Sequence, residues 1–522
     1  MPRPRLWPAV LVLALGTLWI AKTWLMGDAI RQMRVMQTTV ALAVVLLALV
    51  LWLAFFSRLS WRRRLAGVAL AGFVLALVPA LFRIRGVTGD LRPILEPRWG
   101  RPAALPEPVP PSPSPEAPSL EAAAAPPTTV KPSVVKELPA FPQFLGPTRD
   151  ATLPGPRLAR DWAARPPRRL WRQPLGQSWS GFAISGEIAV TQEQRGDEER
   201  VVAYDPRSGR PLWSHADRAR YETVIAGVGP RATPTIEGSR VYAMGATGIL
   251  SALELASGKV LWTHDVVKET DAPIPDWGRS CSPLLVDGRV VVIAGGSGGR
   301  RLVAYAAASG DLAWAAGDGS ASYSSPTLMT LAGRRQLVVL NAASVSGHDP
   351  ATGAVLWEQP FPREQPNVAL PALVGSDRLL VSAGYGVGTK AYRVSETGGV
   401  LAATLEWESP RLKSKFANLV VHGGFVYGLD DGVLTCLDPA SGERRWKSGR
   451  HGHGQLLLVA GLLLVQTEEG ELVLVDPSPD AYRELTRFQA LDGKTWNPPA
   501  LAGSLLLVRN DREAAAYELP VE

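Results

Sequence analysis

Hydrophobic positions follow two different patterns along this 522-residue chain. Up to residue 82 they form unbroken runs, WPAVLVLALGTLWIAKTWLM (7–26), TTVALAVVLLALVLWLAFFS (38–57) and LAGVALAGFVLALVPALF (65–82). Each run has roughly the 17–25 residues a helix needs to cross a hydrocarbon core, so three transmembrane helices are predicted. From residue 141 the apolar residues come instead in short runs hinged on a glycine-containing turn: AISGEIAV (183–190), TIEGSRVYA (235–243), LVDGRVVV (285–292), TLAGRRQLVV (330–339), LVGSDRLLV (373–381), VHGGFVYG (421–428), VAGLLLV (459–465) and LAGSLLLV (501–508). Apolar and β-branched flanks about such turns predict paired strands, and there are eight pairs.

A second signature follows most of these hairpins. AYDPRSGRPLW (203–213), ALELASGKVLW (252–262), AYAAASGDLAW (304–314), GHDPATGAVLW (347–357) and CLDPASGERRW (436–446) share a turn of Asp or its substitute, Ser or Thr, and Gly, then three spacers and a Trp. A stretched copy covers 391–407. The carboxylate suits a turn in which it accepts local backbone hydrogen bonds, and the glycine suits a positive φ. The Trp then sits on the returning strand, where its ring can wedge against a neighbouring sheet. The tryptophans at 171, 213, 262, 314, 357, 407 and 446 advance in steps of 39 to 52 residues. That period, with four strands per unit, predicts an all-β eight-bladed β-propeller of four-stranded blades over 141–522. Unit seven lacks the Trp, and Phe488 is its expected replacement. RRLWRQP (168–174) has a Trp without preceding strands, while the strands near 501–519 have no following Trp. The two are expected to complete each other as a closing clasp, which removes the exposed edges of an open array.

This repeat resembles the PQQ-like β-propeller repeat of quinoprotein alcohol dehydrogenases and of BamB-like outer-membrane assembly lipoproteins. FPQFLGPTRD (141–150) resembles the lead-in that precedes many such propellers. For a dehydrogenase the resemblance implies PQQ, a calcium ion held by carboxylate and amide oxygens, a catalytic Asp and often a vicinal disulfide. Only Cys281 and Cys436 are present; they fall in the third and sixth units, beyond reach of an S–S bond, and read as small buried residues. There is no C-x-x-C-H for a covalent haem. Neither calcium ligands nor a catalytic Asp are marked by a motif, and P-loop, nucleophile-elbow and H-E-x-x-H signatures are missing.

Charge changes the picture in one respect. The chain is +7 with pI near 9.5, but residues 1–100 alone hold 13 Lys and Arg against 3 Asp and Glu, so the rest is net negative. The basic character belongs to the apolar segment and not to a nucleic-acid footprint, and no nucleic-acid partner is expected. Arg3 and Arg5 with Arg58, Arg62, Arg63 and Arg64 outnumber Arg31 and Arg34 with Arg83 and Arg85. The positive-inside rule then places the N-terminus in the cytoplasm and the propeller in the periplasm of a bacterial inner membrane. A cleaved signal peptide is the rival for the first run, but two further spans follow and no small-residue cleavage site closes it. Residues 1–95 are thus read as anchor and 96–140 as a Pro/Ala-rich spacer, or alternatively a polyproline ligand.

Candidate chemistry lies in the loops that lead into the first strand of each unit, which converge on the axis of a propeller. They supply Trp179, Arg231, Trp277, Arg279, Tyr323, Lys413, Lys415, His451, His453 and Trp496. Cations beside aromatic faces suit an anionic or conjugated ligand, such as a quinone carboxylate or an acidic peptide; taken singly, each residue reads rather as a solvated charge or a packing ring, and the cluster as a whole reads as a ligand site. His451 and His453 alone make a weak metal pair and are expected to be solvated loop histidines, so no metal site is assigned. QEQRGDEER (192–200) is expected to be a polar hairpin tip. The leading expectation is a membrane-anchored, extracytoplasmic scaffold that binds a protein or an anionic small ligand. The alternative is a PQQ- and calcium-dependent alcohol or sugar dehydrogenase passing electrons to membrane quinone.

Overall fold

The computed structural model describes residues 5–26, 29–100, 105, 139–363 and 366–522. These form two units, residues 1–103 with 222–227, and residues 104–221 with 228–522. Most of the expected 96–140 spacer lies outside the described residues.

The first unit holds three helices long and apolar enough to cross a membrane: α1 (Trp7–Leu25), α2 (Arg31–Leu51, continued by a π turn over Trp52–Phe56) and α3 (Trp61–Leu81). α2 begins seven residues before the expected start at 38, and α3 begins four before 65. Their polar first turns still close backbone hydrogen bonds, from Arg34 N–H to Ile30 and from Arg64 N–H to Ser60, both at 3.1 Å, whatever the side chains prefer. A hairpin of Phe82–Val87 with Pro93–Pro97 follows.

The second unit contains eight blades, read in chain order as 183–217, 235–265, 284–316, 327–360, 372–409, 420–450, 455–489 and 500–518. Each is an antiparallel sheet whose first strand is innermost, and every expected hairpin is present. The eighth has only three strands of its own. Arg168–Pro174 supplies the fourth by pairing with Glu513–Glu518, so the ring closes through the expected clasp.

The repeated turn works between blades. In blade 1 the Asp205 carboxylate accepts from the N–H groups of Arg207 and Ser208 at 2.8 and 2.9 Å, which fixes the turn and lets Gly209 take φ 74°. A Cβ on Gly209 would stand 2.8 Å from the Trp171 ring of the preceding blade. Gly258 has the same relation to Trp213, at 2.4 Å. The glycine is therefore required twice, for its positive φ and for the absence of a side chain under the indole. The indole N–H then reaches a carbonyl of the same turn: Trp171 to Pro206 (3.0 Å), Trp213 to Leu255 (2.8 Å), Trp262 to Ala307 (3.1 Å), Trp407 to Pro439 (3.1 Å) and Trp446 to Ser478 (2.8 Å).

Blades 4 and 5 meet differently. The third and fourth strands of blade 5 run to ten residues each (Gly388–Thr397, Val400–Ser409), so their turn lies far beyond Trp357. Trp357 donates instead to Gln336 Oε1 of its own blade at 2.6 Å. Trp314 packs over Gly353, but its buried N–H has no partner among the described residues. Phe488 fills the Trp position of blade 7, edge-on to Trp162 and Tyr517 at 5.4 and 5.1 Å.

Cys281 and Cys436 are free and buried, and burial pushes both thiols up to about 11. The 192–200 segment is a hairpin with an exposed tip at Gly196 and Asp197, as expected, but its arms are buried. Glu193 is fully buried, accepts from Arg195 and from the Tyr204 hydroxyl, and receives the Gly176 N–H at 2.9 Å. A charge removed from water demands such partners, and the hairpin and the preceding Gly176 supply them.

Trp213→Ala should destabilise the propeller by about 3–5 kcal/mol in denaturant titrations, the usual cost of removing a large buried ring. Gly258→Ala should cost a comparable amount alone and less in the Trp213→Ala background, because both act on one contact.

Candidate functional site: the axial mouth

Antiparallel four-stranded blades place two kinds of connection at one end of the axis. These are the loops leading into each first strand and the turns between second and third strands. At this end the aromatic residues form a connected chain. Trp179 meets Trp496 (ring centroids 4.9 Å), Trp496 meets Phe416 (4.7 Å), and Phe416 meets Trp277 edge-on (6.2 Å). Trp277 in turn meets Tyr323 (5.1 Å) and Tyr385 (6.1 Å). The rings come from the loops of blades 1, 8, 6, 3 and 4 and from the second turn of blade 5, so the cluster spans the mouth. Its geometry is fixed from below: Trp277 N–H donates to the Tyr323 hydroxyl at 3.2 Å, and the Trp496 indole donates to Glu468 Oε1 at 2.9 Å.

Cations lie on the ring faces. Lys494 Nζ stands 4.6 Å from the Trp179 centroid and 4.1 Å from that of Trp496, Lys415 stands 5.0 Å from Tyr385, and Arg231 lies 4.5 Å over Tyr221. Such contacts strengthen when water is excluded, and both lysines are buried here. Burial pulls Arg231 down to about 10.

Of the ten residues expected at the mouth, Trp179, Trp277, Tyr323, Trp496, Lys415 and His453 join this assembly, with His453 edge-on to Phe416 at 5.9 Å. Arg231 stands over Tyr221, whose hydroxyl donates to the Asp276 carbonyl beside Trp277. Arg279 is spent elsewhere: it is buried, and its guanidinium donates to the carbonyls of Ala294 (2.6 Å), Ile293 and Pro273 (3.3 Å each). Lys413 pairs with Asp430 at 2.6 Å, which Lys447 also contacts at 2.6 Å. Burial raises the Asp430 carboxyl, and the two ammonium groups more than offset it, so it titrates below its usual range.

The histidines are not the solvated pair expected. Both are buried, because the 449–454 loop folds under neighbouring turns: His451 N–H donates to Gly432 O at 2.8 Å and His453 N–H to Glu468 Oε2 at 3.1 Å. They face different partners, Tyr482 for His451 and Phe416 for His453. Phe416, Lys494 and Tyr385 are part of the assembly but were not singled out from sequence. The first two lie in the same incoming loops, RLKSKFAN and GKTWNPP, and Tyr385 would follow from counting second turns as mouth elements.

A planar tricyclic quinone requires two ring faces separated by roughly 7 Å, twice the carbon–carbon contact distance. Here successive rings from Trp179 to Trp277 already touch one another, and the cluster offers no such slot. Among the described residues no three His, Cys, Asp or Glu side chains are grouped to hold a metal. The contacts between Trp179, Trp496, Phe416 and Trp277 leave no gap for a planar quinone between these neighbouring rings.

The architecture is that of an eight-bladed PQQ-like propeller, and comparison with known proteins agrees. The family model described as outer membrane protein assembly factor BamB matches residues 163–275 and 197–448, and the chain belongs to this family. It is 27% identical over 262 residues to outer membrane protein assembly factor BamB of Moranella endobia (strain PCIT), covering 47% of this chain and 63% of that protein. It is 32% identical over 144 residues to quinohemoprotein alcohol dehydrogenase ADH IIB of Pseudomonas putida, covering 25% and 19%. The matched regions thus span less than two thirds of either relative. The crystal structure of quinohemoprotein alcohol dehydrogenase from Comamonas testosteroni superposes with TM-score 0.56 at 13% identity, covering 74% of this chain and 81% of that one, which is a likeness of fold.

Burial holds His451 and His348 down to about 4, so both are neutral in the fold at pH 7. Unfolding restores values near 6.5, and the unfolded chain then binds more protons between pH 6.5 and 4. Stability should therefore be full above pH 6.5 and fall as pH drops towards 4, by on the order of 3 kcal/mol per histidine. Unfolding midpoints measured across this range should flatten in a His348→Gln, His451→Gln double variant.

Proposed function

We propose that the chain is a membrane-anchored, extracytoplasmic propeller that serves as a protein-interaction scaffold, with the aromatic and cationic mouth as its recognition surface. One observation carries this reading: the rings at the mouth are packed on one another and flanked by cations. This arrangement leaves half-buried ring edges for a partner's side chains and no slot for a planar cofactor. Clustered aromatic and cationic groups are the usual anchors of protein interfaces. The relationship to a protein named as an assembly factor supports the same reading. The three apolar helices support the anchor, and the arginine asymmetry supports a cytoplasmic N-terminus.

The dehydrogenase reading draws on the likeness to quinohemoprotein alcohol dehydrogenases. It is tested directly by incubating the full-length chain in detergent with PQQ and Ca²⁺ and following dye-linked oxidation of alcohols and sugars. The scaffold reading expects no turnover, and sustained turnover would overturn it. A photo-crosslinking residue in place of Trp277 should give a discrete protein adduct in cells, lost from a matched probe at the remote Gly186 turn.

Topology has its own check. Alkaline phosphatase fused after Glu522 should be active in intact cells and a cytoplasm-dependent reporter at the same place should be silent; the reverse pattern overturns the orientation.

A further inference from the structure

At the end of the channel opposite the mouth, residues 139–153 form a strap, and its hydrogen bonds follow a rule. In each first strand, the residue one before the closing pair of the first turn directs its backbone N–H and C=O away from the second strand and towards the axis. In blade 1 that residue is Ile184, next to the Ser185–Ile188 pair; in blade 2 it is Ile236 and in blade 7 Leu458. The strap takes all three. Phe141 and Ile184 exchange hydrogen bonds at 2.9 and 2.8 Å, Ile236 N–H donates to Pro142 O at 2.7 Å, and Leu458 N–H donates to Ala151 O at 2.7 Å. Thr152–Leu153 then runs parallel to Leu458–Val459 as a fifth strand of blade 7.

The same register puts Leu285, Thr330, Leu373 and Val421 in the equivalent position of blades 3 to 6. All four line one cavity of about 680 Å³ between the strap and these blades, within the roughly 300–1,000 Å³ of ligand sites. No hydrogen bond to their inward edges is formed among the described residues. All four are half-buried or exposed, whereas Ile184, Ile236 and Leu458 are buried. The strap is held clear of them by Arg149, whose guanidinium donates to the Ser282 and Pro283 carbonyls at 2.8 Å each.

We propose that this half of the channel receives an extended, uncharged peptide segment of a partner protein, which adds to the free inner edges of blades 3 to 6 as the strap adds to blades 1, 2 and 7. The strap itself shows what these edges accept: short pieces of chain at Phe141–Pro142 and Ala151–Leu153 whose backbone joins the strands, while Phe141, Leu145 and Leu153 seat in the core. The cavity lining fits an uncharged occupant. It is mostly apolar, with Leu284, Leu328, Met329, Leu370 and Leu419 among its walls; its polar groups are threonine hydroxyls and the amides of Gln143 and Asn418, and its two charged residues are engaged. Arg149 is tied to carbonyls, and Asp150 accepts from the Thr148 hydroxyl at 2.7 Å and the Thr152 N–H at 2.9 Å. The site is distinct from the mouth and does not depend on what binds there.

The test uses the full-length chain in detergent and a fluorescent, uncharged probe with the sequence of the strap's own residues 140–147, acetyl-AFPQFLGP-amide. Saturable one-to-one binding is expected. Leu373→Pro and Val421→Pro each remove an inward N–H that no ladder bond uses, a placement proline tolerates in a strand; each should weaken binding at least tenfold with the unfolding midpoint kept. N-methylation of the probe at both phenylalanines should weaken binding as much and needs no protein variant. Trp277→Ala at the mouth should leave probe affinity unchanged, which separates this site from the recognition surface proposed above. Absence of saturation, equal binding of the methylated probe, or full affinity in both proline variants, as exchange with the strap would give, overturns the proposal.

Discussion

Every other feature of this ring depends on an indole lying on a glycine turn of the next blade. A four-stranded sheet with strands of three to ten residues needs its apolar faces covered, and its neighbours supply the missing surface. The contact is directional as well as apolar. The Asp-led turn shapes the glycine, the glycine admits the ring, and the ring's N–H finds a turn carbonyl, as for Asp205, Gly209, Trp171 and Pro206. One residue type at one place thus fixes distance and angle at five of the eight seams, those of Trp171, Trp213, Trp262, Trp314 and Trp407, and the eight blades bring the last back to the first.

Closure creates an axis, and the two ends of that axis are finished by different chemistry. At the mouth, side chains do the filling: rings from six blades pack on one another, with lysines over their faces. At the far end the backbone does it, as a strap adds to three inner edges. Strain accompanies the strap, since Leu145, Arg149 and Ala151 all hold positive φ within seven residues. Such conformations cost of order 1 kcal/mol or more each and persist because the carbonyls and N–H groups of several blades dictate the path. The propeller is a family fold, and its two ends are furnished in these two different ways.

The fold was legible because its determinants are local. Period, turn chemistry and Trp spacing all lie within single repeats, and even the clasp follows from a Trp without strands and strands without a Trp. Phe488 was legible for the same reason. The mouth was only partly so. Sequence brings loops to one end, but it does not say which side chains turn inward. Arg279 and Lys413 share loops with Trp277 and Phe416, yet local carbonyls claim the first and Asp430 claims the second. The buried state of His451, His453 and Glu193 was not legible, because it depends on turns from other blades and strands folding over them. The strap's partners were out of reach too, being set by register across the ring.

The clasp strand imposes an order of events on biosynthesis. Arg172 and its partner Glu513 are 341 residues apart, so at roughly 5–20 residues per second the strand waits tens of seconds on the ribosome for its sheet. A lone strand is sticky during such a wait. Arg168, Arg169 and Arg172 make this one cationic, so two nascent chains repel where they would otherwise join, and the carboxylates of Glu513 and Glu518 discharge that repulsion only when the proper mate arrives.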